Sequence, residues 1–350
     1  EVMYTVQNWP STIPFDPWTY FPYGTFVGQF GTLYDQIVAT AALIVGLGSP
    51  SQELIAKTLL VAPAVAGALT AIPVYYIGKS LYGRLAGLFG AVVLMLLPGS
   101  FLSRTLVGVA DHNAVEPLMM ALAVFGLVAA LRKAESTMPV WEVVREELLE
   151  DRTLDTLEPP LKWALFAGFL TGLYLWTWPP AVFFVGIVGV FALVKIPNDV
   201  VHDRTPEPTA FAVATSMLVV ALMSLLVIEQ AGFSTTIPSL LQPLAALGVA
   251  VAAVSLSWLA RVWERTDLDA SLFPAAVGGI AAVGVGVLAI LPLGILDLVV
   301  GNLLRIVGFS AGAATRTIGE AQPFIAPSSL QRFGVEAAGR ITIEYGLTFF

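Results

Sequence analysis

The sequence predicts an all-α polytopic membrane protein, a multi-helix transmembrane bundle with long loops on its external side. Three observations predict it. Hydrophobic residues make up 57% of the 350 and charged residues only 12%, against about 25% charged in a soluble domain. Mean hydropathy is +0.82. Apolar runs of roughly 18 residues or more, long enough to cross a bilayer, recur along the chain.

The order of elements follows from where those runs begin and end. Residues 1–56 form a first external loop, whose first part is dense in Pro, Gly and aromatics such as Trp9, Pro10, Pro14, Trp18 and Pro22. That density forbids a regular helix over 1–33, and Trp and Tyr favour the membrane–water interface. A short helix is expected over 34–48. The region 57–300 reads as a helical bundle of about eight spans, near 57–78, 84–102, 114–132, 162–178, 180–196, 209–229, 239–260 and 272–300. Residues 301–340 make a long external loop, and 341–350 start a further span.

Lys and Arg orient the bundle, because they gather in cytoplasmic loops. One set of alternate loops carries eleven of them and the other set six. The richer set is the cytoplasmic one, which puts residues 103–113, the Pro179–Pro180 turn and 301–340 outside. Within it, the acidic segment 133–161 has Trp141, Val144 and Leu148 at helical spacing and reads as an amphipathic helix.

Charge and composition exclude several functions. A net charge of −8 and a pI near 4.8 argue against a nucleic-acid partner. The absence of cysteine excludes disulfides, thiolate zinc sites and cysteine nucleophiles. Arginine outnumbers lysine and the loops are acidic, a composition suited to concentrated salt. The chain starts at Glu1 with no positive segment and cleavage site ahead of its apolar runs, so it reads as a fragment whose natural start lies upstream.

Three polar clusters fall on the external side. The run Ser103-Arg104-Thr105-Leu106-Val107-Gly108-Val109-Ala110-Asp111-His112-Asn113 enters a span. Asp111 there can cap the helix or offer a carboxylate to a hard cation, and alone the cap is the commoner use. Asn113 can add a neutral oxygen, while an isolated His112 is more often an interfacial polar residue than a ligand. The second cluster, Arg316-Thr317-Ile318-Gly319-Glu320, lies over 200 residues further on, and by itself reads as a solvated turn. Topology brings both to one face, so a cation shared by Asp111 and Glu320 is geometrically possible. The third is Trp176-Thr177-Trp178-Pro179-Pro180, an interface anchor or a flat face for a sugar or isoprenoid phosphate.

These residues carry a resemblance. The 103–113 run resembles the second acidic motif of the oligosaccharyltransferase catalytic subunit, with Arg104 seven residues before Asp111. Thr317-Ile318-Gly319-Glu320 resembles that family's Thr-Ile-x-Glu motif of a later external loop, in the expected order. The first loop, from Trp9 to Gly24, and Gly-Gln-Phe-Gly-Thr-Leu-Tyr-Asp at 28–35 are similar to archaeal members, particularly halophilic ones. Two family motifs are absent: an upstream acidic motif and the Trp-Trp-Asp-Tyr-Gly motif of a soluble domain. The archaeal pattern usually has His where this chain has Asn113, an amide that Mg²⁺ or Mn²⁺ accepts.

The resemblance implies a GT-C type glycosyltransferase in the cell membrane, multi-pass, with its active site on the extracellular face. It implies transfer of an oligosaccharide from dolichol phosphate to Asn in the Asn-x-Ser/Thr sequons of an acceptor polypeptide, with Mn²⁺ or Mg²⁺ as cofactor. The metal would lie on Asp111, Asn113 and Glu320, and Arg104 would orient the carboxylates or assist the phosphate. Thr317 and Glu320 would meet the acceptor, Trp178 the lipid-linked donor, and His112 would contribute least. The chain from Glu1 to Phe350 would lack two motifs needed to complete catalysis. Another polyprenyl-phosphate-dependent glycosyltransferase is the alternative, and a transporter a lesser one, because no charged residue sits clearly mid-span.

Overall fold

A computed structural model of the chain describes residues 1–18, 21–26, 31–135, 140–153, 155–290, 294, 296–297, 300–301, 304 and 336–346. Thirteen α-helices are described: α1 (Val2–Gln7), α2 (Leu33–Val45), α3 (Gln52–Tyr82), α4 (Arg84–Met95), α5 (Ser100–Arg104), α6 (Glu116–Glu135), α7 (Val140–Val144), α8 (Glu158–Thr177), α9 (Val182–Val201), α10 (Glu207–Leu225), α11 (Leu241–Trp263), α12 (Phe273–Ile290) and α13 (Ala337–Tyr345). Six of the described helical segments are long and apolar enough to cross a bilayer, beginning with Gln52–Tyr82 and His112–Glu135. The chain is a multi-pass, all-helical membrane protein. It divides into two compact units, one of Glu1–Met95 with Ser103–Pro274, the other of Leu96–Leu102 with Ala275–Phe350.

In the first unit α8 packs against α6 and α10, α10 continues to α11, α11 to α9, and α3 joins α4 to α6. Lipid offers no hydrophobic force between helices, so close packing of small residues and interhelical hydrogen bonds must hold them. Gly168 meets this need. A Cβ there would stand 2.4 Å from the Ser216 carbonyl oxygen, so only glycine lets α8 and α10 approach this closely. Ser216 Oγ then donates to Ala164 O at 2.9 Å, and Trp176 Nε1 to Met223 O at 3.1 Å. The outer faces stay apolar, with Ile187, Val190 and Val194 of α9 all exposed, as a lipid-facing surface requires.

Ion pairs clamp one end of this unit. Arg261 of α11 donates to buried Glu207 in the first turn of α10 and, at 2.8 Å, to both carboxylate oxygens of Glu142 in α7. Lys195 reaches both oxygens of Asp199 at 2.6 Å, one turn on in α9. In the second unit, the Glu344 carboxylate of α13 accepts from the Ser100 amide at 2.7 Å and from its hydroxyl at 2.8 Å, capping α5.

Three stretches differ from expectation. Residues 1–33 are not irregular throughout: α1 occupies the turn and a half before the first proline, Pro10, and Phe15–Asp16 pairs antiparallel with Thr25–Phe26. The apolar run from 84 stops as a helix at Met95, where Pro98 and Gly99 follow, and a short α5 restarts at Ser100. The acidic segment 133–161 is not one amphipathic helix. After α7 the backbone widens into π-type turns over Arg145–Asp151, ends at Arg152 with φ 55°, and is pinned by Glu147, which accepts from the amides of Thr156 and Leu157 at 2.7 and 2.9 Å.

Removing Glu207 leaves Arg261 with Glu142 alone. Breaking a fully buried pair costs about 3–5 kcal/mol, and the partial exposure of Arg261 reduces this to about 2 kcal/mol. We expect Glu207→Ala to lower the thermal unfolding temperature in detergent by several degrees, and Glu142→Ala, on the exposed side, to do so less.

Candidate active site

The short turn ahead of α6 builds the site. Asp111 has extended backbone (φ −139°, ψ 145°) and caps the 3₁₀ turn His112–Ala114, its side chain accepting from the Asn113 amide at 3.4 Å. Asn113 Nδ2 donates to Asp111 Oδ2 at 2.6 Å, and His112 Nδ1 lies 2.8 Å from Asp111 Oδ1. Arg104 donates from a guanidinium nitrogen to Asn113 Oδ1 at 3.4 Å. The loop between Arg104 and Asp111 is tied to α3, because the Gly108 amide donates to Leu60 O at 2.9 Å. Four of the residues singled out in the sequence, Arg104, Asp111, His112 and Asn113, therefore form one hydrogen-bonded group.

Its electrostatics favour an ionised Asp111. The His112 hydrogen bond, opposed by burial and aided by the His112 charge and the Asn113 bonds, holds the carboxyl down at about 2. Almost half of its side chain is exposed, so the anion is available from the outside. His112 bridges Asp111 to Glu116, whose carboxylate lies 3.5 Å from Nε2.

Two residues that sequence reasoning passed over stand beside this group. Asp35, in the first turn of α2, is pushed up to about 7 by burial first and then by its hydrogen bond with Glu1, while the His112 charge opposes the rise. Tyr34 is buried, and its hydroxyl has no hydrogen-bond partner among the described residues. Burial, then Asp35 and Asp111, push that phenol up to about 12. The available signal was a lone carboxylate on the first turn of an otherwise apolar segment, which reads as an ordinary helix-start charge.

Trp178 lies at the same end of the unit, at the C-cap of α8, its ring stacked on Tyr174 at 6.2 Å and 28°. Tyr174 in turn feels the Glu116 charge. The first loop reaches this turn at Gly31, where φ is +77° and a Cβ would fall 2.4 Å from the Thr177 carbonyl oxygen. Only glycine fits that contact, so the 28–35 stretch and the 176–178 turn meet backbone to backbone at Gly31.

The donors suit a hard divalent ion in part. Asp111 supplies an ionised, outward carboxylate with lone-pair capacity beyond the three bonds it accepts. The Asn113 oxygen faces Arg104, and its NH₂ faces Asp111, so it becomes a ligand only after its amide turns. Among the described residues no three His, Asp or Glu side chains gather closely enough to hold a metal. Thr317 and Glu320 lie outside the described residues.

Because the folded Asp35 carboxyl titrates higher than in an unfolded chain, its contribution is present at low pH and is lost as pH rises from about 4 through about 7. Asp35→Asn should therefore raise the melting temperature at about pH 8 by a few degrees and leave it nearly unchanged at about pH 4. Equal effects at both values would contradict the burial.

Comparison with known proteins gives the family. Residues 1–318 match the family described as oligosaccharyl transferase STT3, N-terminal. The dolichyl-monophosphooligosaccharide–protein glycotransferase AglB of Haloferax volcanii is 57% identical over all 350 residues, which span 33% of that protein. The structure of the Archaeoglobus fulgidus oligosaccharyltransferase AglB, in complex with an inhibitory peptide and a dolichol-phosphate, superposes with a TM-score of 0.79 at 24% identity, covering 100% of this chain and 38% of that one. A complex of the Archaeoglobus fulgidus oligosaccharyltransferase with Zn and sulfate gives 0.70 at 23% identity over 99% of this chain and 43% of that one. This chain thus spans about a third of the curated relative it matches over its full length. The match over 1–318 takes in nearly the whole chain, and the chain belongs to the oligosaccharyl transferase STT3 family.

Proposed function

We propose that this chain is part of the membrane region of an enzyme that transfers an oligosaccharide from dolichol phosphate to the side-chain amide of Asn in Asn-x-Ser/Thr, working on the extracellular face. One observation carries the reading: an ionised, half-exposed Asp111, locked at the start of a span by His112, Asn113 and Arg104, in a chain 57% identical to a dolichyl-monophosphooligosaccharide–protein glycotransferase.

In that reaction the amide nitrogen bonds to the anomeric carbon as the sugar–phosphate C–O bond breaks; the electron pair leaves on the phosphate oxygen, and one N–H proton passes to a carboxylate or to the leaving phosphate. The amide is a poor nucleophile because its lone pair is conjugated. Carboxylates that accept its N–H bonds help turn it out of conjugation. We assign Glu320 to that role and Thr317 to contact with the acceptor. Asp111 and Glu320 would hold Mn²⁺ or Mg²⁺, which would neutralise charge gathering on the leaving phosphate, while Asn113, oriented as it is, would steady Asp111.

The rest of the work falls to this chain's own groups. Arg104 holds the Asn113 oxygen, which keeps its NH₂ on Asp111 and fixes the direction of the carboxylate. His112 sits on Oδ1 of Asp111 and the Asn113 NH₂ on Oδ2, and the exposed part of the carboxylate is left to a ligand. Trp178 offers the lipid-linked donor an aromatic face backed by Tyr174.

The test is transfer by the full-length protein from a lipid-linked oligosaccharide to a fluorescent Asn-x-Thr peptide, with and without EDTA. Activity that EDTA abolishes and Mn²⁺ or Mg²⁺ restores is expected, and lack of transfer with donor and metal both present would overturn the reading. Asp111→Ala and Glu320→Ala should each lower transfer by about 100-fold or more, the scale on which electrostatic catalytic groups act. Arg104→Gln should act mainly through Asn113, costing about tenfold, of the order seen when an outer-shell partner of a ligand is lost, and raising the metal concentration needed for half activity.

A further inference from the structure

Toward the other end of α6 from Asp111, α3, α6 and α8 border an open cavity of about 310 Å³. Its lining combines two chemistries. Phe125 and Val128 of α6 and Trp163 of α8 form an apolar wall, and Arg132 and Lys133 stand beside it with Ser80 of α3. The wall belongs to an aromatic ladder, Tyr76–Phe125–Trp163–Phe166, with ring centroids 5.8, 6.0 and 5.8 Å apart. A third cation borders it: Lys79 Nζ lies 5.6 Å from the centre of the Tyr76 ring.

The position of this cavity narrows its occupant. From Asp111 to Arg132 is 21 residues of turn and helix, about 30 Å at 1.5 Å per residue. That is the thickness of a bilayer's hydrocarbon core, so Arg132 and Lys133 sit at headgroup depth in the opposite leaflet. Basic pockets between transmembrane helices at such a depth take anionic headgroups, and an apolar wall beside them is suited to an acyl chain rather than to water.

We propose that this cavity binds one anionic phospholipid of the leaflet opposite Asp111. Its phosphate rests on Arg132 and Lys133, and the first part of an acyl chain runs along Phe125, Val128 and Trp163. Ser80 borders the headgroup without donating to it, because its hydroxyl already donates to Ile77 O at 2.7 Å. The lipid then fills a gap between α3, α6 and α8 that no side chain of these helices fills. A zwitterionic lipid has the same phosphate but no net charge, so the two adjacent cations discriminate against it.

The experiment is native mass spectrometry of the full-length protein in detergent, titrated with phosphatidylglycerol or with phosphatidylcholine. One phosphatidylglycerol should be retained with a preference of about tenfold or more, in keeping with the attraction of two basic residues for anionic lipid. Arg132→Gln with Lys133→Gln should remove the preference, while Arg145→Gln with Arg152→Gln should leave it. Equal retention of both lipids, or a preference that survives the first pair of substitutions, overturns the proposal. So does retention of no phospholipid, the result expected where another part of the full-length protein fills the cavity. If the double variant does not fold, brominated lipids serve with folded protein. Bromo-phosphatidylglycerol should quench the Trp163 share of the fluorescence, obtained by difference from Trp163→Phe, and bromo-phosphatidylcholine should not. Equal quenching by the two would also overturn it.

Discussion

Inside a bilayer no water satisfies a backbone amide, so every span must be a helix and every helix end must find partners for its unpaired groups. Much of this structure follows from how the ends solve that problem. At the start of α6 the solution is a carboxylate, Asp111, which accepts from the Asn113 amide and also from the Asn113 and His112 side chains. The same act that closes a helix end fixes an anion at the membrane surface. Capping and the cation binding proposed for Asp111 call for the same residue in the same place, so the sequence ambiguity between them is physical.

The two ends of the first unit are built differently. At one, Arg261 joins α11 to Glu207 of α10 and Glu142 of α7, and Lys195 pairs with Asp199 within α9. At the other, carboxylates predominate. Glu1, Asp35, Asp111 and Glu116 interact electrostatically around His112, and a buried tyrosine hydroxyl goes unpartnered. The first end contributes stability. The second buries a carboxyl, Asp35, whose ionisation burial opposes, which makes it the costlier end to fold.

The helices were legible in the sequence because lipid leaves an apolar run little choice but to be helical. Their ends were less so. Met95 closes a run that stays apolar past it, since Pro98 and Gly99 decide the break and not hydropathy. The segment after Val140 has a helix's periodicity, but Glu147 folds back on the amides of Thr156 and Leu157, a contact over nine and ten residues that no spacing rule contains. At the site, Asp111, Asn113 and Arg104 were visible because they lie within ten residues of one another. Asp35 and Tyr34 were not, because they reach the site only through the fold of the first loop.

One helix joins the two ends. Between Asp111 and Arg132 there is a rod of nearly fixed length, close to the span of a hydrocarbon core. A rod cannot shorten, so in a thinner membrane it tilts, and in a thicker one the lipid must compress around it. The height of the carboxylate above the acyl chains is then set by the depth at which the basic end of α6 is anchored. For the reaction proposed, bilayer thickness thereby becomes a variable, acting on how far a lipid-borne sugar must rise to meet the aspartate.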